Sequence, residues 1–254
     1  KGISLFVVPK FFVNADGSLG ARNDVRCAGI EHKLGIHGSP TCIMVYGDEG
    51  GAIGYLVGEE NKGLACMFTM MNDARLATGL QGVAIGEASY QHALAYANER
   101  KQGKAAGATT PLSPIIAHPD VKRMLMTMKA LTLSARAVAY LTAGVIDRSR
   151  RAKDPAARKA AAERAGLMTP IAKGYSSDIG CEVASLGVQV HGGMGFIEET
   201  GAAQFMRDAR IVPIYEGTNG IQAIDLVTRK LPMNGGAVMK AEIADMRATV
   251  EQLR

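Results

Sequence analysis

The amino-acid sequence predicts a mainly α-helical protein, in which part of a small β domain is followed by an up-down helical bundle. Hydrophobic residues make up 47% of the 254 residues, whereas aromatic residues make up only 5%. Methionine and glycine are frequent, with 13 and 30 copies, and this composition suits closely packed helices with adaptable filler. From about residue 64 onward, apolar residues recur at steps of three and four, which is the spacing of a buried helix face.

The charge distribution argues against a nucleic-acid-binding protein, and the distribution of apolar residues argues against a membrane-spanning one. The formal net charge is only +5, and the excess of lysine and arginine is concentrated in residues 148–159, which indicates a solvated segment rather than a nucleic-acid groove. No run of about 18 apolar residues occurs, so no transmembrane span is predicted.

The cysteines and histidines give no sign of a metal centre. The four cysteines form no Cys-x-x-Cys pair and lie far apart, at positions 27, 42, 66 and 181. We therefore predict reduced thiols in a cytoplasmic protein. The five histidines show no metal-ligand spacing, and no metal is predicted.

Residues 1–60 are predicted to form β structure. The glycine-rich run 47–51 is typical of a turn that joins neighbouring strands. The chain enters a strand without an initiator methionine, so we expect the natural protein to extend beyond the N-terminal end of this sequence, and the abrupt end of the last predicted helix indicates that it also continues beyond the C-terminal end. Short apolar runs that read as strands lie at residues 3–8, 25–32, 41–46 and 52–57.

The segment from Glu31 to Pro40 is the first candidate for a function. Its two glycines, Gly35 and Gly38, allow the backbone to bend tightly or to approach a ligand closely. A plain loop between strands explains the same residues equally well.

A long helix, or two helices in tandem, is predicted from Leu64 to about Arg100. Small residues on one face allow another helix to approach closely; they are Gly79, Gly82 and Gly86. Asp73 and Arg75 lie on its early turns, and spacing alone suggests a surface ion pair that contributes little energy.

The next helix is predicted to begin at Pro119, because proline and the following Asp120 both suit a helix start. Apolar residues then continue at helical spacing to Ile146. Residues 147–166 are charged and rich in alanine, and we predict a loop or short helix outside the core.

A third helix is predicted to begin at Thr169-Pro170, with Thr169 as its N-cap. It is predicted to end at Gly192 and Gly193, because helix interiors disfavour glycine. These glycines expose backbone amides that a flat ligand can approach. A glycine C-cap explains the same residues without any ligand.

The strongest chemical signal lies in residues 211–222, where Glu216 is a lone carboxylate in an otherwise uncharged run. Gly217 and Thr218 follow it, and the apolar spacing after them indicates the first turns of a helix. The apolar neighbours predict a desolvated carboxylate, which makes a better base near neutral pH. The alternative is a carboxylate that merely favours the positive end of a helix.

Three motifs occur in order near the end of the chain. They are Gln189-Val-His-Gly-Gly-Met-Gly-Phe196, Arg207-Asp208-Ala209-Arg210-Ile211 and Tyr215-Glu216-Gly217-Thr218. In this order they closely resemble motifs of the acyl-CoA dehydrogenase family, and the resemblance covers nearly the whole chain. The run from Glu216 to Gln222 is most similar to that of the large bacterial members.

The resemblance implies a flavoprotein that binds FAD and an acyl-CoA thioester. It implies that Glu216 is the catalytic base and that Gly217, Asp73 and Arg75 contact the substrate. The residues implied to contact the flavin are Arg100, Gln189, Gly192, Gly193 and Thr218. For Arg100 the alternative is a cation that merely stabilises the C-terminal end of its helix.

By the same resemblance, Glu216 removes the α-proton while the β-hydride passes to the flavin, which forms a 2,3-enoyl-CoA. The implied partners are an electron-transfer flavoprotein and further copies of the chain, in a homodimer or tetramer. The implied domains are part of a middle β domain (1–60), a C-terminal helical bundle (61–232) and the start of a linker or extra region (233–254), which includes a last helix from Ala237.

The sequence departs from the family pattern at several positions. The aromatic residue usually found shortly after Arg100 is absent, and a loop at residues 105–117 replaces a direct connection to the next helix. His118 stands where a glutamine is expected. Gly220 stands where many smaller relatives have a flavin-contacting glutamine.

Other functions are compatible with these motifs. An acyl-CoA oxidase shares them but passes the electrons to oxygen. A non-catalytic relative that binds nucleic acid through a basic loop is less favoured, because it does not require Glu216. An inactive fragment that lacks part of its pocket is the third alternative.

Overall fold

The computed structural model describes residues 2–254, and the mainly α-helical fold class is confirmed. The chain divides into two compact units, one that ends at Asn72 and one that begins at Asp73. Helix α1 (Gly63–Glu99) begins in the first unit and continues into the second.

Short strands in antiparallel pairs form the first unit. β1 (Leu5–Val7) pairs with β6 (Tyr55–Val57), β2 (Phe11–Val13) pairs with β3 (Leu19–Arg22), and β4 (Val25–Ile30) pairs with β5 (Cys42–Tyr46). The four predicted apolar runs contain β1, β4, β5 and β6. The β2–β3 hairpin lies between the first two predicted runs, where no strand was predicted, because strands this short show too little alternation to be recognised.

Asn23 holds the first unit together from its centre. It is 4% exposed, and its side-chain amide donates hydrogen bonds to the carbonyl oxygens of Pro9 (2.9 Å) and Ile53 (2.8 Å). Its side-chain oxygen accepts a hydrogen bond of 3.0 Å from the Ile53 amide. One buried side chain therefore satisfies the backbone of two separate segments, as buried polar groups require.

Long helices form the second unit. The predicted helices that begin near Leu64, at Pro119 and at Ala237 are confirmed. After α1 they are α2 (Pro119–Arg151), α3 (Pro155–His191), α4 (Ala202–Ala209), α5 (Asn219–Asp225) and α6 (Ala237–Gln252). Shorter helical turns lie at Ile115–Ala117, Gly192–Phe196, Glu198–Thr200, Leu226–Lys230 and Met233–Gly236.

The predicted loop at residues 147–166 is wrong. Helix α2 continues to Arg151 and α3 begins at Pro155, so only residues 152–154 connect them. Asp154 is the N-cap of α3, because its carboxylate accepts hydrogen bonds of 3.1 Å from two backbone amides of the first turn. The alanines that follow are strong helix formers and extend α3 toward its N-terminus.

The predicted helix start at Thr169 is also wrong, because α3 continues through Pro170 without a break. The Thr169 hydroxyl donates a hydrogen bond of 2.7 Å to the Ala165 carbonyl oxygen, which lies inside the helix. Thr169 is 1% exposed. Burial of this turn in the core outweighs the cost of a proline within a helix.

Helices α1 and α3 approach each other along a face of glycines. A Cβ atom added at Gly79 would lie 2.9 Å from the Ala172 carbonyl oxygen, and one added at Gly82 would lie 2.2 Å from that of Ser176. Only glycine fits at these positions. The contacts run in the same order along both helices, so the C-terminal ends of α1 and α3 lie on the same side of the unit.

Residues 2–254, the part of the chain that the structure describes, contain neither a membrane-spanning helix nor a group of metal ligands. No helix there is long and apolar enough to span a membrane. No group of three or more histidine, cysteine or acidic side chains there is arranged to hold a metal ion.

Candidate functional site

The first candidate region is the Glu216 turn, residues 213–218, which leads into α5. The Asn219 amide donates a hydrogen bond of 3.0 Å to the Pro213 carbonyl oxygen and closes the turn. Thr218 is the N-cap of α5, because its hydroxyl accepts a hydrogen bond of 3.2 Å from the Ile221 amide. The predicted loop-to-helix entry is therefore confirmed.

Glu216 has a strained backbone and an exposed side chain. Its φ angle is +55°, a left-handed conformation that residues other than glycine rarely adopt. Gly217 follows with a φ of +86°, and a Cβ added there would lie 2.8 Å from Nε2 of Gln222. The predicted desolvation of Glu216 by its apolar neighbours is wrong for these residues, because Glu216 is exposed.

A buried ion pair lies beneath the turn. Nη1 of Arg75 is 3.1 Å from Oδ2 of Asp225, and the two side chains are only 9% and 2% exposed. Asp225 also accepts a hydrogen bond of 2.8 Å from Nε of Arg229. A Cβ added at Gly217 would lie 3.8 Å from Nη2 of Arg75. Arg75 therefore supports the turn from behind.

A second buried cation anchors the residue after the turn. Lys173 on α3 is 0% exposed, and its ammonium group donates a hydrogen bond of 2.9 Å to Oδ1 of Asn219. The Asn219 amide group in turn donates to Oδ1 of Asp178 (2.7 Å) and to the hydroxyl of Ser177 (2.9 Å). Burial lowers the pKa of Lys173. These contacts fix the start of α5 against α3.

Asp73 and Arg75 do not pair with each other. Asp73 is exposed and forms a surface ion pair of 2.5 Å with Arg150 on α2, whereas Arg75 faces the buried Asp225. The two residues lie on different sides of α1. The structure therefore brings Arg75 and Gly217 together and leaves Asp73 apart from them.

The second candidate region is a cleft of ≈ 600 Å³, here called the Arg100 cleft. Its walls come from the end of α1 (Tyr96 and Arg100), from the following loop (Gln102 and Gly103), from the start of α2, and from residues 190–194 at the end of α3. Two motifs that are about ninety residues apart in the sequence therefore meet at one site, because the close approach of α1 and α3 brings their ends together.

Stacked rings form one wall of the Arg100 cleft. The ring centroid of His191 lies 4.3 Å from that of Tyr96 and 4.9 Å from that of His92. Nδ1 of His191 is 2.7 Å from the Gly187 carbonyl oxygen, while its Nε2 is buried and has no hydrogen-bond partner among residues 2–254. Burial lowers the pKa of His191, which favours the neutral form of its ring.

The glycines of the Gly-Gly-Met motif leave the cleft open. Gly192 has a φ of +59° and caps α3. A Cβ added at Gly193 would meet nothing within 4 Å, so packing within the protein does not explain a glycine there. Gln189 is exposed on the last turn of α3 and is not among the residues that line the cleft.

His118 lines the same cleft. Its Nε2 is 2.8 Å from the carbonyl oxygen of Gln102, which joins the loop after α1 to the start of α2. The sequence predicted a departure from the family pattern at this position, and the structure shows that the imidazole occupies part of the cleft wall.

Sequence reasoning missed the residues that hold the Glu216 turn, namely Lys173, Asn219 and Asp225. The single available signal was Lys173, a lysine within a mostly apolar helix face. The pairing of Arg75 with Asp225 joins residues 150 positions apart, and no local pattern predicts it.

Comparison with known proteins assigns the part of the chain that contains the Glu216 turn and the Arg100 cleft to one family. The family described as acyl-CoA dehydrogenase, C-terminal domain, matches residues 61–231. The chain is 52% identical over 252 residues to 3-methylmercaptopropionyl-CoA dehydrogenase of Ruegeria pomeroyi, which covers 99% of this chain and 42% of that protein. It is 42% identical to a butyryl-CoA dehydrogenase of Syntrophomonas wolfei, across 97% of this chain and 42% of that protein.

A solved structure agrees with these sequence matches. Butyryl-CoA dehydrogenase from Megasphaera elsdenii superposes with a TM-score of 0.66 at 25% identity, across 90% of this chain and 55% of that chain. The chain belongs to the acyl-CoA dehydrogenase family, and it contains the C-terminal helical domain of that family. It spans about two fifths of the length of the curated relatives it matches.

Proposed function

We propose that this chain carries the catalytic base and part of the cofactor site of an FAD-dependent acyl-CoA dehydrogenase. The observation that carries the proposal is Glu216, an exposed carboxylate on a strained turn that is held by the buried Arg75–Asp225 ion pair and by the hydrogen bond from the buried Lys173 to Asn219. Strain of this kind persists only where the surrounding structure enforces it, and it is concentrated at functional sites. The identity to the Ruegeria pomeroyi enzyme supports the reaction class.

In this proposal Glu216 accepts the α-proton of an acyl-CoA thioester. General-base catalysis needs a carboxylate fixed within hydrogen-bond reach of the proton, and the anchored turn supplies that fixed position. The thioester carbonyl oxygen must also be polarised as negative charge develops on it. The backbone amide of Glu216 is the donor that the chain supplies for this purpose.

Arg75 acts in the proposal as a positioning residue rather than by touching the substrate. Its guanidinium group is committed to the buried Asp225 and lies behind Gly217. Gly217 leaves room for the thioester beside the base. Asp73 remains a proposed substrate contact, because it is exposed on α1.

The Arg100 cleft fits part of an FAD molecule. A guanidinium group binds phosphate through paired hydrogen bonds, and Arg100 lines the same cleft as Gly192 and Gly193. The glycine at position 193, which packing does not require, allows a flat or charged group to approach the backbone. Thr218 and Gln189 are proposed as further flavin contacts outside the cleft.

Bound FAD would supply the acceptor for the β-hydride, and the product would be a 2,3-enoyl-CoA. The proposal also includes an electron-transfer flavoprotein as the electron acceptor and a homodimer or tetramer as the assembly. The chain itself contributes the base, its support and the phosphate-facing cleft.

The test is anaerobic reduction of the bound flavin by an acyl-CoA, with butyryl-CoA and 3-methylmercaptopropionyl-CoA as the two probes. The wild-type protein should lose its visible flavin absorbance when either probe is its substrate. Glu216→Gln removes the base without a change of shape, and it should bind the same acyl-CoA but leave the flavin oxidised.

The matched control is Glu182→Gln, because Glu182 is an exposed acid on α3 outside both candidate regions. The bound flavin of this variant should lose its visible absorbance as fast as that of the wild type. Retained flavin reduction in Glu216→Gln would show that another group takes the proton. Rapid oxygen consumption by the reduced wild type would instead favour the oxidase alternative.

A further inference from the structure

Two of the four cysteines meet on one face of the β4–β5 pair. In the register of this pair, Cys27 lies opposite Met44 and Cys42 lies opposite Ile30. Met44 and Cys42 are two positions apart on β5 and so project to the same face. Cys27 and Cys42 are therefore diagonal neighbours on that face, although they are widely separated in the sequence.

A β-bulge distorts strand β4 directly after Cys27. The register shifts between Cys27 and Gly29, and such a bulge bends the strand and increases its twist. The Cys27 thiol donates a hydrogen bond of 3.2 Å to the Gly29 carbonyl oxygen. The side chain of Cys27 lies close enough to Cys42 to raise the pKa of the Cys42 thiol.

The surroundings of this pair differ from those of the other two cysteines. Cys27 and Cys42 are both exposed, whereas Cys66 and Cys181 are half-buried. Cys27 raises the pKa of Cys42, and the positive charge of Lys33 opposes this effect to a smaller extent. Cys181 donates to the Ala209 carbonyl oxygen (3.3 Å), and burial raises its pKa.

We propose that Cys27 and Cys42 form a reversible dithiol–disulfide site that reacts with small disulfides such as oxidised glutathione. One cysteine thiolate attacks the small disulfide, forms a mixed disulfide and releases one small thiolate. The second cysteine thiolate then attacks the protein sulfur of the mixed disulfide and displaces the second small thiolate. The protein loses two protons and two electrons, and the small disulfide gains them as two thiols.

The bridge would close the base of the loop at residues 31–41. Local contacts of that loop include a 2.9 Å hydrogen bond from the Glu31 amide to the Thr41 carbonyl oxygen and a 2.8 Å contact of His37 with the Lys33 carbonyl oxygen. It contains a cleft of ≈ 360 Å³ lined by Glu31, His32 and Lys33, among others. Oxidation therefore restrains a loop that carries a cleft, and the site does not depend on the proposed acyl-CoA chemistry.

The experiment is tryptic mapping of the intact native protein after treatment with oxidised glutathione, with free thiols then blocked before digestion. Trypsin cleaves after Arg26, Lys33 and Lys62, so Cys27 and Cys42 fall in separate peptides, residues 27–33 and 34–62. We expect these two peptides to be joined by one disulfide, and we expect dithiothreitol to separate them. Amide hydrogen exchange in residues 31–41 should slow on oxidation and recover on reduction.

Single variants distinguish a bridge from general thiol reactivity. Cys27→Ser and Cys42→Ser should each stop at a stable glutathione adduct on the remaining cysteine, whereas Cys66→Ser and Cys181→Ser should oxidise as the wild type does. Two separate glutathione adducts on wild-type Cys27 and Cys42 would overturn the proposal. An absence of reaction at both cysteines in the native protein would overturn it equally.

Discussion

The Glu216 turn and the Arg100 cleft belong to one helical unit, but different interactions hold them. Beneath the turn lie buried charges, with Arg75 paired to Asp225 and Lys173 bonded to Asn219. One wall of the cleft contains stacked rings, those of His191 and Tyr96.

This difference determines which kind of change destabilises each region. A buried charge that loses its partner carries the full cost of desolvation, so the support of the turn is nearly all-or-none. Stacked rings tolerate changes in polar substituents, but a buried imidazole is disturbed when it takes up a proton. The turn is therefore sensitive to the loss of a partner, and the cleft is sensitive to acid.

The largest effect is expected from Asp225→Ala, which leaves Arg75 buried without its partner. Breaking a buried ion pair in this way costs about 3–5 kcal/mol, and the free energy of unfolding in urea should fall by that amount. The matched control is Asp73→Ala, which breaks the exposed pair with Arg150 and should cost only about 0–1 kcal/mol. Equal losses in the two variants would contradict a buried support for the turn.

A smaller effect of opposite sign is expected from Glu216→Gly. Glycine adopts the left-handed backbone at this position without strain, so the free energy of unfolding should rise by about 1 kcal/mol. Glu216→Gln keeps a side chain at the strained position and should leave stability unchanged. If Glu216→Gly were no more stable than Glu216→Gln, the turn would not be strained.

The smallest effect is expected in the pH dependence of the free energy of unfolding, to which His191 in the wall of the Arg100 cleft contributes. Burial lowers the pKa of His191 in the folded state below the value of about 6.5 in an unfolded chain. Between these two values the unfolded chain binds the extra proton. The contribution of His191 is therefore greatest above the unfolded pKa and is lost as pH falls toward the folded pKa.

His191→Phe keeps a ring in the stack but cannot titrate, so its stability should fall less between pH 7 and the acid range than that of the wild type. Tyr96→Phe also keeps its ring, and it should retain the acid dependence of the wild type. Urea unfolding at a series of pH values measures both. An identical acid dependence in His191→Phe and the wild type would show that this imidazole is not held neutral by burial.

The sequence predicted most of the helices but placed the end of α2 and the start of α3 wrongly. Pro119 and the apolar spacing after it predict the start of α2, because these signals act within a few residues. Thr169-Pro170 gives an equally local signal for a helix start, yet α3 runs through it. The turn is buried in the core, and tertiary packing overrides local preference there.

In the candidate site, too, some features were predicted from the sequence and others were not. Glu216, Gly217 and the Gly192-Gly193 pair were recognised from motifs, because backbone conformation and small size are properties of single residues. The exposure of Glu216 was not predicted, because apolar neighbours in the sequence do not have to surround a side chain in space.

The sequence by itself determined the family, the helical periodicity and the identity of the lone carboxylate. Only the tertiary structure decided that Arg75 faces Asp225 rather than Asp73, that Lys173 is fully buried, and that Cys27 and Cys42 share one face. Local patterns specify which elements form, since they depend on neighbouring residues. Burial and pairing between distant residues depend on how the finished elements pack, and packing has no local signature in the chain.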